Sequence, residues 1–187
     1  MKIPFTKMHG LGNDYVYIDC FAPPVETLPD LSTLAARLSC RRFSVGADGL
    51  VLILPSDVAD ARMRMFNADG SEGMMCGNAI RCVGKYLYER GLISPDAREI
   101  TVETASGMKE LSLSVRDGKV GAGVTAVTVD MGVAEVADEI VVEAAGKQYH
   151  TIPVSVGNPH WVCFTENLTA VDVVTEGAWL SSAVEGA

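Results

Sequence analysis

The sequence predicts an α+β protein, because helix-like and strand-like patterns occupy separate stretches of the chain. Ile80, Val83 and Leu87 fall on one face of a predicted helix that follows a glycine-rich turn. From Arg98 onward, apolar and polar residues alternate between short turns, which is typical of antiparallel strands. A hydrophobic content of 48% over 187 residues is sufficient for a sizeable core.

Two strands and a polar loop are expected near the N-terminus. Residues 2–8 and 15–19 predict the strands, and His9–Asp14 predicts the loop that joins them, because it holds two glycines and an asparagine. Such a loop lines a binding site or forms a plain hairpin turn, and its residues alone favour the plain turn. Asp30 or Ser32 is expected to cap the next helix. Two further strands are expected at Leu50–Leu54 and Ala61–Asn67.

The segment from Phe66 to Gly91 predicts a strand end, a glycine-rich turn and a helix from about Asn78 to Arg90. Cys76 therefore stands at the helix N-terminus, whose partial positive charge stabilises the thiolate form of a cysteine. The free amides of a first helical turn also bind a carboxylate or a phosphate. Cys76 is either a base, a nucleophile or a buried structural cysteine. The glycines around it favour a functional role.

The chain from residue 98 onward predicts an antiparallel meander followed by a second group of strands. The meander comprises Glu99–Thr104 and Met108–Val115, with a hairpin turn expected at Asp117-Gly118. Later strands and a final helix are expected at Ile140–Glu143, Tyr149–Val156, Trp161–Phe164 and Val173–Ala183. The domain boundary is expected near Gly118–Thr125. This gives an N-terminal domain of residues 1–120 that contains Cys76, and a second, incomplete domain of residues 121–187.

Composition excludes several classes of function. A net charge of −9 and a pI near 4.7 argue against a nucleic-acid partner, so a small-molecule ligand is expected. The number of cysteines is odd and no two are spaced Cys-x-x-Cys, which predicts neither a disulfide framework nor a zinc site. The five are Cys20, Cys40, Cys76, Cys82 and Cys163. No apolar run is long enough to span a membrane and no signal peptide is recognisable, so a cytoplasmic location is expected.

Four motifs occur in order along the chain: Met8-His9-Gly10-Leu11-Gly12-Asn13-Asp14-Tyr15, Asn67-Ala68-Asp69-Gly70-Ser71-Glu72, Met75-Cys76-Gly77-Asn78-Ala79-Ile80-Arg81-Cys82 and Gly157-Asn158-Pro159-His160. With these motifs the sequence resembles the diaminopimelate epimerase family. The related proline racemases usually carry histidine where Asn78 stands, which favours the epimerases.

The resemblance implies two pseudo-symmetric halves, each a curved mixed sheet wrapped on a central helix, with the substrate between them. It implies an isomerase of lysine biosynthesis that interconverts L,L- and meso-diaminopimelate and uses no metal, pyridoxal phosphate or other cofactor. In this family two cysteines act as thiolate and thiol on opposite faces of the α-carbon, so that one removes a proton and the other returns one.

The resemblance also implies roles for individual residues. Cys76 is the base or acid of the first half, and the amides of Gly77 and Asn78 receive the substrate α-carboxylate. His160 matches a residue that tunes the thiol, although a structural histidine after a proline turn is nearly as good an interpretation. Three asparagines match positions that hydrogen-bond the two amino-acid ends of the substrate, namely Asn13, Asn67 and Asn158.

The sequence departs from the family pattern in two places. Gly49 stands where some members carry glutamine, so a contact to the distal end of the substrate is expected to be lost or replaced. The Ala-Cys-Gly-Thr-Gly motif of the second half is absent, and Cys76 is the only cysteine followed by glycine. The chain is therefore expected to be an incomplete epimerase that forms a homodimer or pairs with a missing half. The alternative is an inactive amino-acid-binding or self-assembling half-domain.

Overall fold

The computed structural model describes residues 2–21, 28, 30–116 and 123–184. The chain divides into two compact units, Met1–Met131 and Gly132–Ala187. The expected domain boundary begins within residues 117–122, and those residues, together with the expected turn at Asp117-Gly118, lie outside the described residues.

The first unit is built on a mixed eight-stranded sheet. The strands are β1 (Thr6–Gly10), β2 (Asn13–Asp19), β3 (Gly49–Leu54), β4 (Ala61–Asn67), β5 (Glu72–Gly73), β6 (Glu99–Thr104), β7 (Gly107–Arg116) and β8 (Gly123–Val129). Their order in the sheet is β1-β2-β3-β4-β6-β7-β8, and β5 pairs with β4 off that path. The pairs β2–β3 and β4–β6 are parallel, while the others are antiparallel.

The helix α2 (Gly77–Glu89) is the element around which this sheet curves. It packs on β1 and β2 at one end of the strand order and on β7 and β8 at the other end. A flat sheet could not bring both ends onto one helix, so the sheet curves around α2. The apolar stripe of Ile80, Val83 and Leu87 is fully buried, as the helical spacing predicts. The expected α+β class, with a curved mixed sheet wrapped on a central helix, is confirmed for this unit.

The sheet carries a hydrophobic core on each face. Because successive side chains of a strand point to opposite faces, Val51 and Ile53 of β3 pack in the core with α2, and Leu50 and Leu52 pack in the other core. The helix α1 (Leu31–Ser39) covers this second core. Its N-cap is Asp30, whose carboxylate accepts a hydrogen bond from the Thr33 amide at 2.9 Å.

The second unit contains a four-stranded sheet of β9 (Glu135–Val136), β10 (Ile140–Ala144), β11 (Lys147–Ser155) and β12 (Pro159–Val162). All its strand pairs are antiparallel. A 3₁₀ turn at Leu168–Ala170 precedes the helix α3 (Val173–Val184), which packs on β10. The strands and the helix expected from the sequence in this region are confirmed, with bounds shifted by at most two residues.

The hairpin turn that the residues favoured is confirmed, but the predicted loop bounds of residues 9–14 are wrong. β1 continues to Gly10 and β2 begins at Asn13, so the turn consists only of Leu11 and Gly12. Both turn residues have positive φ, 56° and 89°, which is the backbone geometry of a two-residue hairpin that matches the strand twist. His9 pairs with Asp14 and Gly10 with Asn13, so these four residues belong to the strands although their residue types are typical of turns. Within the described ranges, no helix is long and apolar enough to cross a membrane.

Candidate active site

Cys76 is the N-cap of α2. Its backbone is extended, with φ −138° and ψ 115°, and its Sγ accepts a hydrogen bond from the Ala79 amide at 3.4 Å. Its carbonyl oxygen accepts the next helical hydrogen bond, from Ile80 at 3.0 Å. The sulfur therefore takes the place that a serine or aspartate oxygen usually takes at a helix N-terminus. The side chain is half-buried against the core that α2 shares with the sheet.

The β1–β2 hairpin brings Asn13 to this sulfur. The Nδ2 of Asn13 donates a hydrogen bond to Cys76 Sγ at 3.7 Å. Close packing of the hairpin depends on Gly10, because a Cβ there would lie 3.0 Å from the carbonyl oxygen of Asn78 and 3.2 Å from its Cα. Any larger residue at position 10 would push the hairpin away from the first turn of α2. Asn13 therefore contacts the Cys76 sulfur itself, a contact that the resemblance did not imply.

The next residue of β2 on the same face is Tyr15. Its side chain is 5% exposed and belongs to the core against which the Cys76 side chain packs. Burial raises the pKa of Tyr15, and the neighbouring Cys76 adds to the rise. Two residues further along, the Tyr17 hydroxyl donates to the Ala79 carbonyl oxygen at 3.3 Å. This face of β2 therefore lines the first turn of α2 with polar groups.

The first helical residues, Gly77 and Asn78, are both half-buried. Their N–H groups precede the first intrahelical hydrogen bond, and such groups attract anions. Arg81, one turn later, donates a hydrogen bond from Nη2 to the Asn78 side-chain oxygen. Its Nη1 would lie 3.9 Å from a Cβ placed on Gly77. A guanidinium therefore stands beside the two amides and adds positive charge to that of the helix dipole.

A charged network supports the hairpin from the opposite face of β2. Asp14 pairs with Lys7 at 2.9 Å and with Arg41 at 2.5 Å, and the Asp48 carboxylate accepts from the Asp14 amide at 2.9 Å. The Arg41 guanidinium and the Lys7 ammonium hold the pKa of the Asp14 carboxyl well below its usual range. The network fixes the residue next to Asn13 to the loop before β3.

Asn67 ends β4 and is exposed, and the structure joins its side chain to its own turn. Its Nδ2 donates to Ser71 Oγ at 3.0 Å, and the Asp69 carboxylate accepts from Ser71 Oγ at 2.6 Å. Asn67 pairs with Gly49, and Gly49 pairs with Tyr15. Neighbouring strands are about 4.8 Å apart, so Asn67 lies two strands away from Tyr15.

Gly49 leaves no room for a side chain. A Cβ there would lie 2.1 Å from the Phe66 carbonyl oxygen and 2.8 Å from Cε1 of Tyr15. Gly49, which stands where some family members carry glutamine, therefore lies against the Phe66 backbone and the Tyr15 ring.

Asn158 and His160 belong to the second unit, where Asn158 lies in the turn between β11 and β12 and His160 lies on β12, paired with Val154. Gly157 has φ 95°, and the Asn158 carbonyl oxygen accepts from the Val156 amide at 3.3 Å. Asn158 is half-buried, while His160 is exposed. His160 helps to line an open cavity of about 300 Å³, together with Glu135, Ser155 and Trp161 among other residues. The structure thus groups the predicted residues by unit: Cys76, Gly77, Asn78 and Asn13 come together in the first, and Asn158 and His160 in the second.

The sequence reasoning missed Tyr15 and Arg81. The period of two along a strand places Tyr15 on the same face as Asn13, and the spacing of three along a helix places Arg81 beside Asn78. Both signals were available once the strand bounds and the helix start were known. In the described part of the chain, no group of three or more histidine, cysteine, aspartate or glutamate residues could hold a metal ion.

Comparison with known proteins assigns the family. A sequence model described as diaminopimelate epimerase matches residues 5–137. The chain belongs to the diaminopimelate epimerase family. The diaminopimelate epimerase of Acetivibrio thermocellus is 48% identical over 177 residues, which covers 88% of this chain and 60% of that protein. The diaminopimelate epimerase of Parabacteroides distasonis is 46% identical over 180 residues, which covers 96% of this chain and 64% of that protein. The chain thus spans less than two thirds of the length of these relatives.

Solved structures show the same fold for this member of the diaminopimelate epimerase family. A probable proline racemase from Agrobacterium radiobacter matches with a TM-score of 0.70 at 17% identity, over 94% of this chain and 57% of that one. A hydroxyproline epimerase from Agrobacterium vitis matches with a TM-score of 0.66 at 19% identity, over 92% of this chain and 56% of that one. At such identities the likeness concerns the fold alone, and it agrees with the fold expected from the sequence motifs.

Proposed function

We propose that the chain is an isomerase that acts on diaminopimelate, with Cys76 as the thiol that transfers the α-proton between the L,L and meso forms. The observation that carries this proposal is the position of the sulfur. It caps α2, accepts hydrogen bonds from the Ala79 amide and Asn13 Nδ2, and adjoins the first-turn amides of Gly77 and Asn78. Hydrogen bonds donated to sulfur favour the thiolate, which is the form that removes a proton.

The substrate α-carboxylate is proposed to bind at the N–H groups of Gly77 and Asn78, beside the Arg81 guanidinium. The Cys76 thiolate then removes the α-proton, which passes to Sγ while the electron pair of the C–H bond spreads onto the carboxylate. Negative charge on the carboxylate therefore grows as the bond breaks. Donors that are already in place bind this charge more strongly in the transition state than in the ground state, which lowers the barrier.

Inversion also requires an acid on the opposite face of the α-carbon. By resemblance that acid is a second cysteine followed by glycine, and Cys76 is the only such cysteine in the sequence. The proposal therefore assigns proton removal on one face to Cys76 and leaves the second acid to a group outside these 187 residues. Asn67 and Asn158 are proposed to hold the amino-acid ends of the substrate, and His160 to tune the protonation of a thiol.

Hydrogen exchange at the α-carbon tests the proposal. L,L-diaminopimelate is incubated with the 187-residue chain in deuterated water, and incorporation of deuterium is measured by mass spectrometry. We expect exchange that falls by about 10²-fold or more in Cys76→Ala, because the base is removed. Cys40→Ala is the matched control, since Cys40 is an exposed cysteine. Exchange that is equal in the chain and in Cys76→Ala would contradict the assignment of the base.

Analysis of the product configuration addresses the second acid. Exchange with retained configuration fits proton removal and return by Cys76 on one face. Exchange with inversion would show that these 187 residues supply both groups, and the assignment of the second acid would be wrong.

A second candidate function is amino-acid binding or self-assembly without catalysis. The single Cys-Gly pair favours it, as do the exposed apolar side chains of Val133, Phe164 and Val174 in the second unit. Calorimetry with diaminopimelate distinguishes the two functions. Equal binding by the chain and by Cys76→Ala, without α-hydrogen exchange by either, fits this second function. Sedimentation at several protein concentrations measures self-association, either as a homodimer or as larger species.

The proposed reaction would belong to lysine biosynthesis and would take place in the cytoplasm. Its partner is a small molecule with two amino-acid ends. The acidic net charge of −9 supports neither a nucleic-acid nor a membrane-surface partner.

A further inference from the structure

We infer that Arg41 is a positioning residue for the reactive sulfur: its guanidinium joins the Asp14 and Asp48 carboxylates, and that bridge holds Asn13 against Cys76. The inference rests on the proposed role of Cys76 as the proton-transfer thiol. It concerns a residue that lies outside the four sequence motifs and to which the family resemblance gives no role.

The first observation is where the pairing of β2 with β3 begins. The parallel register starts with Tyr15 opposite Gly49. Asp14, one residue earlier, accepts a hydrogen bond at its carbonyl oxygen from the Asp48 amide at 2.7 Å, but its own N–H donates to the Asp48 carboxylate at 2.9 Å. A side chain therefore takes the place of a backbone acceptor at this point of the sheet. The hairpin tip, residues 10–14, is fixed to the start of β3 through that carboxylate.

The second observation is the bridge that Arg41 makes. Its Nη2 donates to Oδ1 of Asp14 at 2.5 Å and to Oδ1 of Asp48 at 2.9 Å, and its Nη1 donates to Oδ2 of Asp14 at 3.3 Å. Because one nitrogen bonds both carboxylates, the two negative charges are close neighbours and repel each other unless a cation lies between them. Lys7 pairs with Asp14 at 2.9 Å, while the bridge to Asp48 comes from Arg41. Loss of the guanidinium would therefore drive the Asp48 carboxylate away from the Asp14 amide.

The third observation is the anchoring of Arg41 itself. It lies in the loop of residues 40–47, which folds back on the end of α1, where the Gly46 amide donates to the Leu38 carbonyl oxygen at 2.9 Å. This bond satisfies one of the last carbonyls of the helix. A Cβ on Gly46 would lie 3.1 Å from the Cα of Arg41, so the loop packs closely on the arginine backbone. Arg41 thus connects the hairpin tip to α1.

The hydrogen bond from Asn13 to the sulfur is sensitive to the position of the hairpin tip. Asn13 Nδ2 lies 3.7 Å from Cys76 Sγ, which is long for a hydrogen bond, so a small displacement of the tip weakens it. A thiolate gains more from such a donor than a neutral thiol does. Displacement of Asn13 should therefore raise the pH at which Cys76 becomes reactive.

Removal of the bridge tests the inference without any need for turnover. The rate of Cys76 alkylation by iodoacetamide is measured from pH 6 to pH 10, and peptide mass spectrometry follows each cysteine separately. The Arg41 side chain is 55% exposed, so Arg41→Gln should leave the fold intact. We expect the pH profile of Cys76 alkylation to move up by about 0.5 pH unit in Arg41→Gln, because the thiolate loses part of a hydrogen bond.

Arg42→Gln is the matched control. Arg42 is the neighbouring exposed arginine, and among the residues that the structure describes it makes no ion pair. Its substitution removes the same charge, so the Cys76 profile should equal that of the unaltered chain. Protection of the buried Cys20 and Cys82 from alkylation in each variant verifies that the fold is intact.

An Asn13→Ala background separates the bridge from a direct effect of charge on the thiol. Asn13→Ala by itself should move the Cys76 profile up at least as far as Arg41→Gln does. Adding Arg41→Gln to Asn13→Ala should then cause no further shift, because Arg41 acts through Asn13. Equal shifts in the two backgrounds, or no shift in Arg41→Gln alone, would overturn the inference.

Salt provides a measurement that remains available if Arg41→Gln does not fold. Raising the sodium chloride concentration from about 0.05 M to about 1 M screens exposed ion pairs. The Cys76 profile should then move up further in the unaltered chain than in Asn13→Ala, and equal movement in both would show that the inference is wrong. Because none of these experiments uses diaminopimelate, a failure of α-hydrogen exchange counts against the proposed function and not against this role of Arg41.

Discussion

The two units hold their site residues by different means. Cys76 begins a helix whose apolar stripe is fully buried, on a sheet with a core on each face. Asn158 lies in a turn and His160 on the following strand, in a sheet whose buried residues, among those the structure describes, are Ala144, Tyr149 and Thr151. The geometry around the sulfur is therefore fixed by packing, whereas the second turn is shaped by local backbone conformation.

Glycine shows the same difference. In the first unit Gly10, Gly49 and Gly84 are required because a Cβ would lie within about 3 Å of a neighbouring element. In the second unit Gly146 and Gly157 provide positive φ at turns, and a Cβ on Gly146 would meet no atom within 4 Å. The first unit thus uses glycine for close packing as well as for turns such as the one at Gly12, whereas Gly146 and Gly157 of the second unit serve turns.

Alanine substitutions at two glycines should give the largest contrast between the units. Gly49→Ala should lower the free energy of unfolding of the first unit by more than about 3 kcal/mol, because the new Cβ collides with the Phe66 backbone. Gly177→Ala should stabilise α3 by about 0.5–1 kcal/mol, since nothing lies within 4 Å of its Cβ position. Urea denaturation measures both changes.

The sequence provides a separate probe for the second unit. Both tryptophans, Trp161 and Trp179, lie in it, so tryptophan fluorescence reports its unfolding, while peptide-resolved hydrogen exchange reports that of the first unit. If Gly49→Ala and Gly177→Ala changed the free energy of unfolding equally, the proposed difference between the roles of these two glycines would be wrong.

Truncation of one leucine in each unit should give the next largest difference in the free energy of unfolding. Leu87 of α2 is fully buried, so Leu87→Ala should cost about 2–5 kcal/mol of unfolding free energy through lost burial and a cavity. Leu168, the matched leucine of the second unit, is 67% exposed, and Leu168→Ala should cost less than about 0.5 kcal/mol. Hydrogen exchange of α2 and tryptophan fluorescence measure the two effects. A large cost at Leu168 would show that the second unit buries this side chain in solution.

The smallest expected difference between the two units is in how much stability each loses at low pH. Because its pKa is lower in the folded chain, Asp14 contributes stability that is complete above about pH 4 and is lost as the pH falls through the folded value. Asp14→Asn should therefore destabilise the first unit at pH 7, and the difference from the unaltered chain should shrink towards pH 2. In the second unit, Lys147 and then Tyr149 lower the pKa of Glu176 in the same direction.

Glu176→Gln should behave in the same way as Asp14→Asn, but with a smaller amplitude, because Glu176 pairs with one cation and Asp14 with two. Urea titrations at several pH values measure both amplitudes. A difference between Asp14→Asn and the unaltered chain that stays constant down to pH 2 would show that the Asp14 pairs do not stabilise the fold.

Periodic patterns predicted the elements well, and local pairing decided their ends. The spacing of Ile80, Val83 and Leu87 predicted α2, and the strand expected at Ala61–Asn67 has the observed bounds. The loop at residues 9–14 was mispredicted because turn-forming composition does not reveal that His9 pairs with Asp14 and Gly10 with Asn13. Such pairs join residues whose partner choice depends on the whole hairpin.

The candidate site was predicted in part. The motif around Cys76 identified the thiol and the two amides, because a helix N-terminus is a local feature that the sequence marks. The contact of Asn13 with the sulfur connects residues 63 positions apart. Neither the loop composition nor the motif revealed this contact, since it requires the placement of β2 against α2.

The sequence by itself determined that a cysteine begins a buried helix and that the chain carries the diaminopimelate epimerase motifs, because capping and periodicity act over a few residues. Only the tertiary structure decided which groups surround the sulfur. A curved sheet brings β2 onto the first turn of α2, and there Gly10 and Gly49 leave the space that Asn78 and Tyr15 need. Steric exclusion between distant strands set this arrangement, and exclusion of that kind depends on the packed fold.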